Sequence, residues 1–411
     1  MKLFHKLFFA PAIIGIYAPI SVNASEVTMS DFGKSKPLSV TSSHIDNSES
    51  KLNNFEAGSF SETTTMSGSA SFQVGAVDES AITEALTATY SYDIDLNTSF
   101  TGDDKLYVGI ETGNSSTNVD FTLDSSVTGS DNLSVTSMFY EFPLGEYQIA
   151  VGPKLDADDL MPTTTSIYSD SFFFGGQYGL DTNYFASQGS GSGFAVARTF
   201  DNGWNASGGI ISTDSSAILT KEGIDVLTLS VGYDAYNYGG GIIYQKSDSA
   251  CNLANSHATQ LCNDYGITST IDRGYTSTTF GGYYSPGEKT TLSITSSMVD
   301  ASVIGASVDT VADFQFAVDR KLGDGTLSAS WKTFPFFKIP DLNGTVINGD
   351  DLGSFIEVYY TFDVNDSLTI TPGIAMAMPA SDAASIARGS DDLAFYLYDR
   401  TAIGVGAIFK F

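Results

Sequence analysis

Apolar and polar residues alternate along most of the chain after about residue 65. The alternation is clearest from Leu86 to Phe100, where apolar residues hold nearly all even positions and polar residues nearly all odd ones. Asp93 and Asp95 are among the odd positions. Side chains two apart lie on the same face of a strand, whereas a helix would mix both aspartates with the apolar residues. We therefore predict a strand with one apolar face, and expect Asp93 and Asp95 on its polar face.

The same period of two predicts sixteen strands in all. Their connections alternate between short ones with turn residues, such as Asn202-Gly203, and mostly longer ones. Transmembrane β-barrels have short turns on one side of the membrane and long loops on the other. We therefore predict an all-β fold, a transmembrane antiparallel β-barrel of about 16 strands. The predicted strands lie near 66–76, 85–100, 104–113, 132–142, 146–154, 193–200, 204–213, 226–233, 238–246, 274–284, 289–298, 311–320, 326–334, 354–363, 367–378 and 400–411.

The first residues have the pattern of an export signal. Lys2 and Lys6 give a basic start, an apolar run follows, and the small residue Ala24 offers a cleavage point. The apolar run is short for a membrane-spanning helix. We predict a signal peptide over 1–24, a flexible periplasmic lead over 25–54 and a barrel domain over 55–411.

Charge narrows the possible partners. The net charge is −29, with only 19 lysines and arginines, so a nucleic-acid partner is not expected. Negative loops would instead attract cations to the mouth of a pore. Richness in glycine, serine and threonine is shared by large secreted β-proteins, which remain an alternative class.

The longest connection, 155–192, holds most of the candidate chemistry. Thirty-odd residues without alternation require a role in a compact fold. Its carboxylates would favour cations at a constriction, and its aromatic rings would either stack on sugars or anchor the connection to the barrel wall. The candidate constriction residues are Asp156, Asp158, Asp159, Asp170, Tyr168, Phe172, Phe173 and Phe174.

Few basic residues are candidates for the interior. Strand phase places Arg400 inward, and Lys154 stands at the root of the long connection. Together with Asp93 and Asp95, these residues are the predicted lumenal charges.

Signals for enzymatic or metal chemistry are weak. Cys251 and Cys262 share one polar stretch, where a disulfide is the expected chemistry of an exported protein. A metal site would need more ligands than the intervening His257. Beyond the predicted signal peptide only His44 and His257 remain, which is poor material for a catalytic triad. We expect no enzyme activity, no cofactor and no bound metal.

The final strand ends on Phe409-Lys410-Phe411. A terminal phenylalanine on an apolar strand face resembles the assembly signal of bacterial outer-membrane barrels. The resemblance implies that Phe409 and Phe411 are recognised by the barrel-assembly machinery.

Three segments resemble cyanobacterial outer-membrane porins, which belong with the OprB-like carbohydrate-selective porins. They are Asn54-Phe55-Glu56 with the following residues to Phe72, Thr98 to Asp104, and Tyr140-Glu-Phe-Pro-Leu144. The S-layer homology domain that usually precedes the barrel in those proteins is replaced by about thirty polar residues. The resemblance implies a third extracellular loop that folds into the barrel, passage of sugars or inorganic ions (iron among them), and a homotrimer in the outer membrane among lipid and lipopolysaccharide.

The sequence thus predicts passive diffusion of small hydrophilic solutes with a preference for cations. Two alternatives remain from other classes. One is a non-conducting structural or adhesin-like barrel, and the other is a secreted soluble β-protein.

Overall fold

The computed structural model of the 411-residue chain describes sixteen barrel strands, which we number β1 to β16. The described residues are 63–79, 86–114, 131–168, 189–213, 220, 223–249, 274–299, 311–312, 314–333, 338–340, 346–348, 353–379 and 400–411. The strands are β1 Thr64–Glu79, β2 Thr87–Thr98, β3 Lys105–Gly113, β4 Ser134–Leu144, β5 Tyr147–Asp156, β6 Ser190–Thr199, β7 Trp204–Ser212, β8 Asp225–Asp234, β9 Tyr238–Ser247, β10 Tyr275–Gly287, β11 Thr290–Val299, β12 in two parts (Val311–Ala312 and Gln315–Leu322), β13 Gly325–Thr333, β14 Gly353–Asn365, β15 Leu368–Pro379 and β16 Arg400–Lys410.

The sheet closes on itself. Each strand pairs antiparallel with the next along the chain, and β16 pairs with β1 from Ser69↔Lys410 to Glu79↔Arg400. Closure leaves no strand edge with unpaired backbone groups. Two short segments outside this sheet, Lys338–Pro340 and Val346–Asn348, pair with each other. The prediction of a closed antiparallel barrel of sixteen strands is confirmed.

Burial in this barrel is the reverse of that in a water-soluble protein. Polar residues such as Gln73, Gln245 and Thr279 are buried, whereas Phe72 on the outward face is 54% exposed. Other exposed outward residues are Val74, Phe194, Leu229, Val231, Ile242, Phe280, Ile294, Phe316, Trp331, Val405 and Phe409. A polar interior inside an apolar outer wall is the arrangement of barrels that face lipid.

Connections between strands differ sharply in length on the two sides of the barrel. Those on the side of the carboxy-terminus span only 99–104, 145–146, 200–203, 235–237, 288–289, 323–324 and 366–367. Gly145 and Gly203 occupy two of these turns with φ of 64° and 90°, in the left-handed region that glycine tolerates best. The opposite side carries the connections 80–86, 114–133, 157–189, 213–224, 248–274, 300–310, 334–352 and 380–399. The predicted asymmetry is therefore present in the fold.

One local expectation was wrong. The sequence predicts that the long connection continues to residue 192, but β6 begins at Ser190. A Cβ atom on Gly191 or Gly193 would collide with the backbone carbonyl of Ser212 or Ile210 on β7. These glycines therefore permit close approach of two strands, and the third long connection spans 157–189.

The end of the chain completes the closure. Phe411 and Gly68 exchange two backbone hydrogen bonds, with N···O distances of 3.2 and 3.1 Å. The Phe411 ring stacks on Tyr92 at 5.7 Å, and Phe409 meets Phe72 edge-on at 5.9 Å. None of the described residues forms a helix long and apolar enough to cross a bilayer.

Candidate pore interior

The first part of the third connection, residues 157–168, lies against the inner wall of the barrel. Thr163 is buried, and its hydroxyl oxygen is 2.9 Å from Asn205 Oδ1 on β7 and 2.7 Å from Ser230 Oγ on β8. Both partners alternate with outward-facing residues and so face the interior. The connection is thus bound to the wall two and three strands beyond its origin at β5.

A row of glycines makes room for this segment. Gly232, Gly241 and Gly281 lie side by side on β8, β9 and β10 in one register. A Cβ atom on Gly232 or Gly241 would lie under 3.0 Å from the Thr163 methyl group, and one on Gly281 would lie 2.5 Å from the Thr165 carbonyl oxygen. We call these three residues the glycine seat. Any larger residue at the seat would displace the segment or the strands.

The segment ends its described course at β14. The Tyr168 hydroxyl donates a hydrogen bond to the Glu357 carboxylate, and its ring lies 6.1 Å from that of Tyr359. Burial raises the pKa of Tyr168 well above its ordinary value, and the Glu357 charge adds to this, so the hydroxyl keeps its proton. β14 is nine strands from β5 in one direction and seven in the other, nearly opposite it in the ring. Residues 157–168 therefore connect opposite walls of the barrel.

The carboxylates at the start of the connection have separate roles. Asp159 accepts a hydrogen bond of 2.7 Å from the backbone N–H of Asp156, the last residue of β5, and closes a tight turn. Asp158 in this turn is exposed. Burial raises the pKa of Asp159 to about 6, with the Asp156 carboxylate contributing and Lys105 opposing the shift. Asp159 is therefore a described residue of the interior whose charge changes near neutral pH.

Acidic residues also line the inner face of β2 and β3. Asp93 lies directly opposite Glu111 in the register. Asp93 accepts hydrogen bonds from Ser69 N at 3.0 Å and Ser69 Oγ at 2.6 Å, and Asp95 accepts one of 2.6 Å from the Tyr107 hydroxyl. Two carboxylates in direct cross-strand contact weaken a sheet, so their pairing is not explained by stability. It places negative charge on the wall that carries Asp159.

The basic residues Lys105, Lys154 and Arg400 each have different partners. Lys105 forms a salt bridge of 2.7 Å with Glu141 on the neighbouring strand. A bulge between Gly152 and Leu155 shifts the alternation in β5, so Lys154 pairs in register with Met138 and donates to the Val135 carbonyl. The backbone of Arg400, at the start of β16, pairs in register with Ala377 on β15 and Glu79 on β1.

Sequence reasoning missed Lys332, which is buried on the inner face of β13 beside Ser328 and Ser330. The alternation of those serines with Trp331 is the signal that would have found it. The glycine seat and Glu357 were missed as well, because their importance depends on which strands the third connection touches.

Several predicted residues lie outside the described part of the chain. They are Asp170, Phe172, Phe173, Phe174, Cys251 and Cys262. Within the described part, no group of three or more acidic, histidine or cysteine side chains is placed to hold a metal ion.

Comparison with known proteins supports the fold. No protein-family model matches the chain, and no curated protein matches its sequence. Among solved structures, variants of the Rh. blastica porin match with TM-scores of 0.51–0.52 at about 10% identity, over 85% of this chain and 100% of theirs. A loop-deletion variant of OmpT, an outer membrane protein of Vibrio cholerae, matches with a TM-score of 0.52 at 12% identity over the same shares. The chain therefore has the sixteen-strand barrel fold of bacterial outer-membrane porins, while its resemblance to the cyanobacterial OprB-like family is not confirmed.

Proposed function

We propose that this chain is an outer-membrane porin that lets small hydrophilic solutes diffuse passively and prefers cations to anions. The observation that carries the proposal is a closed barrel, apolar outside and polar inside, in which residues 157–168 link opposite walls. A segment bound across the interior narrows it, and a narrow, polar passage is the means by which a porin selects solutes.

The preference for cations follows from charge. Asp93, Asp95, Glu111 and Asp159 bring carboxylates to one side of the interior, and the chain has a net charge of −29. Low-dielectric walls focus the field of such groups into the passage. The proposed solutes include both sugars and inorganic ions. The proposal also includes export of the chain through its signal peptide and assembly into a homotrimer.

The test is the reversal potential of the purified protein in a planar bilayer under a salt gradient. We expect a cation-biased potential, and we expect the variant with Asp156, Asp158 and Asp159 all changed to Asn to lose a clear part of that bias. The matched control changes Asp201, Asp324 and Asp366, three exposed residues of the opposite short turns, to Asn. An unchanged potential in the first variant would remove those three residues from the selectivity mechanism.

A further inference from the structure

A hydrogen-bond network on the inner wall ends at Asp234, the last residue of β8. Asp234 shares the inner face of this strand with Gly232 of the glycine seat. Its carboxylate accepts a hydrogen bond of 2.9 Å from the side-chain amide of Asn205 and one of 3.0 Å from the Tyr283 hydroxyl. Asn205 is also the residue whose Oδ1 lies 2.9 Å from the Thr163 hydroxyl. The network therefore leads from the bound segment, residues 157–168, to the short-turn end of the barrel.

The carboxylate determines which end of the Asn205 amide meets the segment. An amide has a donor end and an acceptor end, whereas an ionised carboxylate only accepts hydrogen bonds. The amide nitrogen of Asn205 must therefore face Asp234, which leaves the amide oxygen to accept from the Thr163 hydroxyl. Asn205 is buried, so an amide that lost its acceptor would not easily find water in its place.

The backbone around Asp234 is fixed by two of the short turns. Its own N–H donates to the Gly203 carbonyl at 2.9 Å, and the N–H of Ala235 donates to the Tyr238 carbonyl at 2.8 Å. A side chain carried by such a fixed backbone can hold a partner at a defined place.

Two glycines clear the space that the network occupies. Gly239 on β9 pairs in register with Asp234 on β8 and with Tyr283 on β10, and a Cβ atom there would lie 2.6 Å from Asp234 Oδ1 and from the Tyr283 ring. Tyr283 thus reaches Asp234 across a strand position without a side chain. A Cβ atom on Gly232 would likewise lie 2.8 Å from Asn205 Oδ1. Because glycine weakens a strand interior, stability of the strands alone does not explain this arrangement.

We propose that Asp234 is a positioning residue for the passage. By orienting Asn205, it keeps residues 157–168 against the wall formed by β7 and β8, and so limits the size of solute that the pore admits. It acts through the Asn205 amide and not through its own charge. The limit on solute size rests on the proposed porin function, whereas the attachment of the segment does not.

The test compares Asp234 variants of the full chain in two measurements. Hydrogen exchange followed by mass spectrometry, on protein folded in detergent, reports how firmly residues 157–168 are held. Liposome swelling with sugars of increasing size reports discrimination by the passage. Asp234→Leu should speed exchange in residues 157–168 and weaken the discrimination. Asp234→Asn, the conservative variant, removes the charge but keeps an oxygen for Asn205, so it should retain most of the parent behaviour in both measurements.

A double variant shows whether Asp234 acts through the segment. Thr163→Val removes the hydroxyl and keeps the shape of the side chain, so it should give a similar defect. If both residues belong to one network, Asp234→Leu combined with Thr163→Val should be little worse than either change alone. Should Asp234→Leu fail to fold, Asp234→Ser provides the same comparison, because its side chain is too short to reach Asn205.

Asp363→Leu is the matched control. Asp363 lies on the inner face of β14 near the short turns and accepts a hydrogen bond of 2.6 Å from the Thr369 hydroxyl. Its loss removes the same charge and a similar contact on another part of the wall, and should leave both measurements at the parent values. Heat-modifiable mobility on gels confirms that each variant is folded.

Parent-like exchange and swelling in Asp234→Leu would overturn the proposal, and so would fully additive defects in the double variant. Equal defects in Asp234→Leu and Asp234→Asn would also overturn it, because the charge would then be the cause. Faster exchange in Asp234→Leu, in a chain whose parent admits no sugar and no ion, would uphold the attachment and contradict the porin function instead.

Discussion

Single side chains hold the third connection across the barrel. Thr163 is bound by two polar groups of the wall, and Tyr168 is bound by Glu357 on nearly the opposite side. Between them the segment passes over the glycine seat without large side chains in its way. The width of the passage therefore depends on a few hydrogen bonds, which makes it sensitive to conservative substitutions.

Tyr168→Phe should widen the passage. The change removes the hydroxyl that donates to the buried Glu357 carboxylate, and loss of such a partner typically costs about 1–3 kcal/mol. We expect a larger or noisier single-channel conductance and a lower unfolding temperature. Tyr236→Phe is the control, because Tyr236 is 98% exposed in a short turn and should change neither quantity. Parent-like conductance in Tyr168→Phe would show that the Glu357 contact does not set the width.

Asp159 should make selectivity depend on pH. Because burial raises its pKa to about 6, Asp159 is charged above that pH and becomes neutral below it. We expect the ratio of cation to anion permeability to fall as the pH is lowered through about 6, in reversal potentials measured from pH 8 to pH 5. Asp159→Asn should flatten this step and give low-pH selectivity throughout. A step of the same size in the variant would assign it to another group.

At the scale of elements, the glycine seat ties three strands to the segment that they carry. The strands β8, β9 and β10 need no glycine for their own hydrogen bonds, and glycine weakens a strand interior. Three glycines in one register row therefore indicate a close approach, here by Thr163 and Thr165. A larger residue at the glycine seat should therefore disturb the segment, and a smaller residue at position 163 should relieve the disturbance.

Gly241→Ala should displace the segment, because the new Cβ would collide with the Thr163 methyl group. We expect altered conductance and weaker discrimination by solute size in liposome swelling. Adding Thr163→Ser removes the methyl group and keeps the hydroxyl, so the double variant should recover part of the parent behaviour.

Gly287→Ala serves as the control, since a Cβ there meets nothing within 4 Å. If Thr163→Ser leaves the defect of Gly241→Ala unchanged, the clash with Thr163 is not its cause, and crowding of the neighbouring strand β8 would explain it.

Phe411, part of the predicted assembly signal, also contacts the first two strands of the barrel. Phe411 pairs with Gly68 through two backbone hydrogen bonds and stacks on Tyr92. Deleting Phe411 removes both interactions at the seam where β16 meets β1. We expect less heat-modifiable, folded barrel in outer-membrane fractions, whereas Phe411→Tyr should restore it. Parent-like yield without Phe411 would mean that the seam and the assembly signal do not depend on this residue.

Strand positions were accessible from the sequence because the period of two separates an apolar outer face from a polar inner face along most strands. Asp93 and Leu96 on β2 are an odd number of positions apart and lie on opposite faces, as do Gln245 and Ile242 on β9. It fails where backbones approach closely, as at Gly191 and Gly193, since glycine is equally typical of turns.

Contacts across the barrel were not accessible in the same way. The pairing of Tyr168 with Glu357 joins residues 189 positions apart, and no local pattern marks either partner. The bulge in β5 that places Lys154 beside Met138 is also invisible to a strict period of two.

For the whole molecule, closure and inverted burial support a single account. The sixteen described strands form a closed barrel, the outer wall is apolar, and the interior holds polar groups and the bound segment 157–168. A structural or adhesin-like barrel would share the closure and the outer wall. Only a continuous passage for solutes separates the two classes.

The most direct test is therefore single-channel recording of the folded, detergent-purified protein in a planar bilayer. We expect large, stable openings with a cation-biased reversal potential under a salt gradient. A silent bilayer, from protein shown by heat-modifiable mobility to be folded and inserted, would contradict the porin function and leave a non-conducting barrel.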